Sequence, residues 1–209
     1  TKLYPAYFML VNLGMGAEIQ YFTKNQPLPE KHQFKMAFTD GTGFTTHFWW
    51  FGYIHLVPEK DLNKHKMTAT LGTSPLDKKF TPTYLSELGA KRKTRIKNVL
   101  RDQKNNAGIG NVYAQDILFK AKLHPDTKTS TLTAAEIASL HKAIQSVLRQ
   151  SITLGGLAYE QDFYGQHGRL TGDKFLVGYT QGKHCPQCGA TIEKIRTVTT
   201  GRDRCPKCH

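Results

Sequence analysis

The sequence predicts an α+β protein with part of an N-terminal β-sandwich, a helical domain and a C-terminal β-hairpin zinc ribbon. Three observations lead there. From Thr1 to about Val57 aromatic and β-branched residues recur at strand spacing, from Thr83 the apolar period becomes helical, and the four cysteines form two C-x-x-C pairs at the chain's end. The expected boundaries are 1–58 for the truncated sandwich, 59–82 for a linker, 83–174 for the helical domain and 175–209 for the ribbon.

The elements follow in order. Leu3–Val11 and Phe34–Phe38 are apolar and aromatic, Asp40-Gly41-Thr42-Gly43 signals a turn, and Phe44–Val57 alternates aromatic, Thr and His positions as sheet strands do. The chain enters its first apolar run without an initiator Met, which reads as a start inside a larger sheet. Pro58–Phe80 has little periodicity and reads as a connecting segment. Tyr84–Leu88 forms a short helix, Ile96, Val99 and Leu100 mark one face of a second, and Val112–Ala121 is a third. Thr133-Ala-Ala-Glu136 is a capping box that opens a long helix, with Ile137, Leu140, Ile144, Val147 and Leu148 inward, closing near Gly155-Gly156.

Cys185-Pro-Gln-Cys188 and Cys205-Pro-Lys-Cys208 are sixteen residues apart, room for a hairpin to run out and back. Each pair closes a tight knuckle, so four thiolates can surround one zinc ion tetrahedrally. Two disulfides are the alternative, but no secretory signal accompanies them. Four protein ligands leave no open position, so one structural zinc per chain is expected.

Lys and Arg outnumber Asp and Glu by 29 to 16 in 209 residues, a net charge of +13, which is the footprint of a polyanion partner. The excess is concentrated in Lys91–Lys104, where Lys91, Arg92, Lys93, Arg95, Lys97, Arg101 and Lys104 face the single acid Asp102. A solvated helix face would interleave acids at i+4; phosphate contact explains the run better. No apolar run is long enough to span a bilayer, so a cytoplasmic, nucleoid-associated monomer is expected.

Between the second and third helices lies Gln103-Lys-Asn-Asn-Ala-Gly108-Ile-Gly110-Asn111. Its glycines permit positive φ and close backbone approach, and Asn111 is placed to cap the next helix, leaving amide N–H groups to face an anion. The longer string from Lys93 to Pro125 resembles the helix–two-turn–helix signature of the formamidopyrimidine-DNA glycosylase and endonuclease VIII family. Asn12-Leu-Gly-Met15-Gly16 resembles that family's void-filling methionine loop, Lys31-His32 and Phe51-Gly52 match its DNA-touching sheet positions, and the four-cysteine ribbon closes the chain in the same place.

The resemblance implies a base-excision-repair DNA glycosylase with abasic-site lyase activity, acting on damaged or abasic double-stranded DNA. It implies that Lys97 and Asn111, with Gly110 in the turn, grip phosphates, that Lys93 and His32 add DNA contacts, that Met15 fills the gap left by a flipped nucleotide, and that Phe51 wedges beside it.

The chain also departs from the family. Family catalysis uses an N-terminal proline amine as nucleophile, an adjacent glutamate as acid/base and a sheet lysine, and none of these is assigned in this sequence: residue 1 is Thr and Pro5 is an internal imide. The chain is therefore expected to be a fragment without its catalytic nucleophile. The family's Arg-Arg before the wedge phenylalanine is Trp49-Trp50 here. The hairpin arginine position holds Thr200, and Arg202, two residues on, keeps the same strand face about 7 Å away. Arg202 is thus the candidate hairpin-tip arginine, and no residue is assigned as catalytic with certainty. The alternative function is a non-catalytic DNA-binding module; a weaker one is an RNA-binding zinc-ribbon protein.

Overall fold

A computed structural model describes residues 1–3, 5–90, 94–196 and 201–208, with the backbone alone at Arg196 and Arg202. The expected α+β composition is present. The chain forms two compact units, Thr1–Ala69 with Leu154–Leu170, and Thr70–Thr153 with Thr171–His209. These divisions differ from the boundaries read in the sequence: the segment 59–82 splits near its middle, and residues 154–170 join the strands instead of the helices.

In the first unit, strands β1 (Lys2–Leu3), β2 (Tyr7–Asn12) and β6 (Tyr53–Pro58) form one antiparallel sheet in the order β1-β2-β6. Strands β3 (Glu18–Phe22), β4 (Phe34–Ala37) and β5 (Gly43–His47) form a second in the order β3-β5-β4. The expected single run Phe44–Val57 is therefore two strands in different sheets, interrupted at 48–52. Likewise Leu3–Val11 is broken between β1 and β2, and Glu59–Lys64 in the expected linker is a 3-10 helix.

Met9, Phe22, Phe44 and Val57 are buried in this unit. Residues 154–170 are tied to β3: the Tyr21 N–H donates to the Phe163 carbonyl at 2.8 Å, and Gln20 Nε2 donates to Gln161 Oε1 at 3.0 Å. The Phe163 ring lies 5.7 Å from Tyr21 and 5.9 Å from Phe44. Sequence periodicity could not show this, because Gln20 and Gln161 are 141 positions apart.

The second unit holds α1 (Pro82–Ala90), α2 (Ile96–Arg101), α3 (Asn111–Ala121) and α4 (Ala134–Thr153), then the hairpin β7 (Glu193–Arg196) and β8 (Gly201–Arg204). Leu100, Ile109, Ile117, Leu140 and Ile144 are the deepest apolar residues of its helical core, from α2, the following turn, α3 and α4. Helix α1 starts before Tyr84 because Pro82 suits a first helical position, where no N–H is needed, and Thr81 Oγ1 accepts the Tyr84 N–H at 3.1 Å. The segment before α1 belongs here because Gly72 lies on the Asn105 backbone. A Cβ there would stand 2.3 Å from the Asn105 carbonyl carbon, and the Gly72 N–H donates to Gln103 O at 2.8 Å.

The capping box is formed as read. Glu136 N–H donates to Thr133 Oγ1 at 3.2 Å, while Glu136 Oε2 accepts from the Thr133 N–H at 2.8 Å and its hydroxyl at 2.9 Å. These last two bonds hold the Glu136 carboxyl below its ordinary pKa, so the stabilisation they give is present above the normal glutamate range and fades as pH falls through it. Thr133→Ala is expected to lower stability by about 1 kcal/mol at neutral pH. The deficit should narrow on acidification, as followed by urea denaturation at neutral pH and again at a pH below the glutamate range.

Candidate nucleic-acid interface and metal centre

The turn joining α2 to α3 is built from side-chain amides. Asp102 O accepts the N–H groups of Asn105 and Asn106 at 2.8 and 3.0 Å, and its Oδ1 accepts from Lys104 N–H at 3.0 Å. Asn105 and Asn106 are almost completely buried, and Asn106 Nδ2 donates to the Val99 carbonyl at 2.7 Å. Gln103 closes the second turn from both sides: its Nε2 donates to Ile109 O at 2.9 Å and its Oε1 accepts the Gly108 N–H at 2.8 Å. Gly108 has φ +114°, a value open to glycine alone. Nothing is assigned to Gln103, Asn105 or Asn106 from the sequence; three amide side chains within four residues, shortly before two glycines, are the available signal.

Two expectations about this turn are corrected. Asn111 does not cap α3: it is the helix's first residue, Gly110 is the N-cap, and no side chain makes a cap hydrogen bond. Gly110 has φ −106°, so it does not use the positive φ that was expected of it. The fold makes no steric demand for glycine there either, since nothing lies within 4 Å of where its Cβ would be.

Lys97 on α2 is buried at 7% exposure, not on an open charged face. It lines a cavity of about 30 Å³ together with Arg101, Asn111, Gln115 and Gly201. An adjoining cleft of about 290 Å³ is bordered by Asn111, Gln115, Tyr179, Lys194, Gly201 and Asp203. The structure therefore brings Lys97, Asn111 and the β8 end of the hairpin together at the N-terminus of α3. Lys93 and Thr200 lie outside the described residues. Arg202 pairs with Ile195 in the hairpin register.

Helix α3 also anchors the cysteine-bearing segment. Asp116, 5% exposed, accepts the N–H groups of Leu176, Val177 and Gly178 at 2.9, 2.9 and 2.8 Å. Burial pushes its carboxyl above the ordinary value, against these three bonds, which pull it down. Gln115 Oε1 accepts the Asp203 N–H of β8 at 2.6 Å.

The four cysteine sulfurs lie within 4.8 Å of one another. Cys185 Sγ is 3.8 Å from Cys208 Sγ, and Cys188 Sγ is 3.4 Å from Cys205 Sγ. A disulfide needs about 2.05 Å, so no pair is bonded, whereas tetrahedral ligation at a Zn–S distance of about 2.3 Å sets sulfurs roughly 3.8 Å apart. The neighbouring thiols, Cys188 foremost, push the Cys208 thiol up to about 12. Such crowding disfavours thiolates unless a cation compensates them. The donor set and its spacing fit a metal ion.

In the strand unit, Met15 and Phe51 are not core residues; they are 64% and 80% exposed. The two loops that carry them are linked, since the Met15 N–H donates to Trp50 O at 2.9 Å. A Cβ on Gly14 would stand 2.0 Å from that oxygen, so the approach requires glycine at a φ of +65°. Phe51 holds a left-handed φ of 59°, a strain of about 1 kcal/mol or more for a non-glycine residue. His32 is exposed, with Nδ1 3.0 Å from the Pro29 carbonyl.

Residues 71–162 match the family model described as the formamidopyrimidine-DNA glycosylase H2TH domain. The formamidopyrimidine-DNA glycosylase of Pelotomaculum thermopropionicum is 35% identical over 99% of this chain and 76% of its own length. The protein of that name from Roseiflexus sp. is 42% identical over 68% of this chain and 52% of its own. Among solved structures, the Lactococcus lactis enzyme bound non-covalently to DNA containing an AP site superposes with a TM-score of 0.84 at 28% identity, over 98% of this chain and 75% of that one. MutM from Thermus thermophilus gives 0.87 at 26%, over 99% and 77%.

Asp116→Ala leaves three amide N–H groups without their acceptor, those of Val177 and Gly178 buried and that of Leu176 partly so, a loss of about 1–3 kcal/mol per buried orphaned donor that outweighs relief from burying a carboxyl. The variant is expected to melt at lower temperature, with faster hydrogen exchange at Leu176, Val177 and Gly178. Because the native carboxyl's pKa is raised, the wild type loses part of its stability as pH rises from the ordinary aspartate range through the raised value. That slope should be absent in the variant.

Proposed function

This chain belongs to the formamidopyrimidine-DNA glycosylase and endonuclease VIII family, and from that premise we propose that it binds damaged and abasic duplex DNA as a cytoplasmic, nucleoid-associated monomer of base-excision repair. We propose further that the protein serves the family's chemistry, base removal followed by abasic-site lysis, for which the resemblance implies a terminal proline amine as nucleophile.

The observation that carries the binding reading is the meeting of Lys97, Arg101 and Asn111 with the ribbon hairpin at the start of α3. The first amides of α3 carry the positive end of its dipole, and cations beside it make a seat for a phosphate. By the family resemblance, Lys93, His32 and Arg202 add contacts, and Met15 and Phe51 enter the disturbed stack. With a net charge of +13, affinity rests mainly on phosphate neutralisation.

Cys185, Cys188, Cys205 and Cys208 would hold one zinc ion. With four thiolate ligands it supplies no Lewis-acid position and serves to fold the ribbon.

Binding to a duplex with a single abasic site, followed by fluorescence anisotropy, is expected to weaken steeply with salt. Asn111→Ala should lower affinity for all sequences alike without lowering the melting temperature, because it caps nothing. Lys97→Met, which keeps the buried stem, should reduce the salt slope by about one. At neutral pH the 209-residue chain should yield no borohydride-trapped adduct, whereas a chain carrying the family's amino-terminal proline segment should yield one. Trapping by the 209 residues alone would overturn the assignment of the nucleophile.

Stoichiometric zinc is expected in unchelated protein by elemental analysis. Its removal by a strong chelator should unfold the ribbon and weaken DNA binding while leaving the helical circular dichroism largely unchanged.

A further inference from the structure

Two histidines meet in the strand unit, and the DNA-binding reading uses neither. His55 Nδ1 lies 2.9 Å from His65 Nε2, and the two rings stand edge to face at 5.2 Å and 69°. His55 is exposed on β6, while His65 is half-buried and ends the 3-10 helix Glu59–Lys64. Ring nitrogens this close share one hydrogen, donated by one and accepted by the other.

Both positions are built. His55 is set opposite Leu10 by the strand register and stacks on the Tyr53 ring, 4.3 Å away at 29°. His65 is fixed through its backbone: its N–H donates to the Leu62 carbonyl at 3.3 Å, and its carbonyl accepts the N–H groups of Thr68 and Ala69 at 3.1 and 2.9 Å. That turn brings Thr68 Oγ1 to 3.4 Å from His65 Nδ1, with the carbonyls of Leu62 and His65 as acceptors for the hydroxyl at 3.3 and 3.4 Å. A hydroxyl that donates to a carbonyl accepts from the ring, so His65 keeps its hydrogen on Nδ1 and turns the bare Nε2 toward His55. Metal-binding histidines are oriented in this way, by a partner on the nitrogen that does not ligate.

The spacing is selective as well. At a metal–nitrogen distance of about 2.05 Å, two ligands at 90° stand about 2.9 Å apart, and two at the tetrahedral angle about 3.3 Å. The observed 2.9 Å is that of neighbouring ligands in a tetragonal shell, the geometry of copper(II) and nickel(II). Lys64 and Lys66 flank His65, so cations held by charge alone are disfavoured, and magnesium and calcium call for oxygen ligands in any case.

We propose that His55 Nδ1 and His65 Nε2 form a metal site outside the cysteine cluster, one that takes a late divalent transition ion in place of the shared hydrogen. His55 then carries its hydrogen on Nε2, and rotation about the side-chain torsions turns both lone pairs to the ion. Two protein ligands leave the remaining positions to solvent, in contrast to the closed four-thiolate set. The bound ion ties the end of the 3-10 helix to β6.

The test uses untagged, zinc-loaded protein titrated with nickel(II). Calorimetry should give one nickel per chain, the imidazole NMR signals of His55 and His65 should shift or broaden before those of the other histidines, and a zinc-sensitive dye should record no zinc release. His55→Gln and His65→Gln should each lower nickel affinity at least about tenfold, and Thr68→Val about tenfold, as for the loss of an orienting partner. Magnesium should produce none of these changes. Unperturbed His55 and His65 signals at saturating nickel would overturn the site, and the wild-type spectrum decides this even where a variant folds poorly. Nickel uptake that survives both histidine variants, or that proceeds with release of zinc, would equally overturn it.

Discussion

The helical unit turns on one buried carboxylate. Asp116 receives three consecutive amides from the segment leading into the cysteine ribbon, and it does so from the middle of α3, the helix whose first turn forms the candidate phosphate seat. Taking a carboxylate out of water is costly, and it is tolerated here because all three donors are spent on it. One helix thereby sets where the ribbon begins and where its own first amides point. The Gln115 contact to β8 adds a second tie one residue earlier along α3, so hairpin and seat share a frame of reference.

What the sequence disclosed were the features written in short-range patterns. The Thr133–Glu136 box, the C-x-x-C spacing and the apolar faces of α3 and α4 each lie within a few turns or one knuckle, where spacing alone determines which groups meet. Features that depend on distant partners were hidden. Residues 154–170 were read with the helices because nothing local announces that Phe163 belongs beside Tyr21 and Phe44. Lys97 was read as a phosphate contact within a basic run, and its burial was hidden because such a run does not reveal which member turns inward.

Asn111 shows a subtler failure. An asparagine before a helical pattern is a good cap by composition, and the reading was one residue out because Gly110 already supplies the half-extended conformation that a cap needs. Relieved of that task, the Asn111 side chain is available to the surface it shares with Lys97 and Gly201. The same logic separates the amides of the turn: Asn105 and Asn106 face inward and build the scaffold, while the residue that follows the glycines faces out.

In the strand unit, the crossings between the two sheets, from β2 to β3 and from β5 to β6, are joined by the single Met15–Trp50 backbone bond. Donor and acceptor sit on separate loops, so an insertion in either loop would carry one away from the other. The two loops are consequently constrained to change length together, and this face of the protein can diversify readily only by exchanging side chains at positions 15 and 49–51. Divergence on this face would then proceed by substitution on an unchanging backbone, leaving loop length as the slow variable.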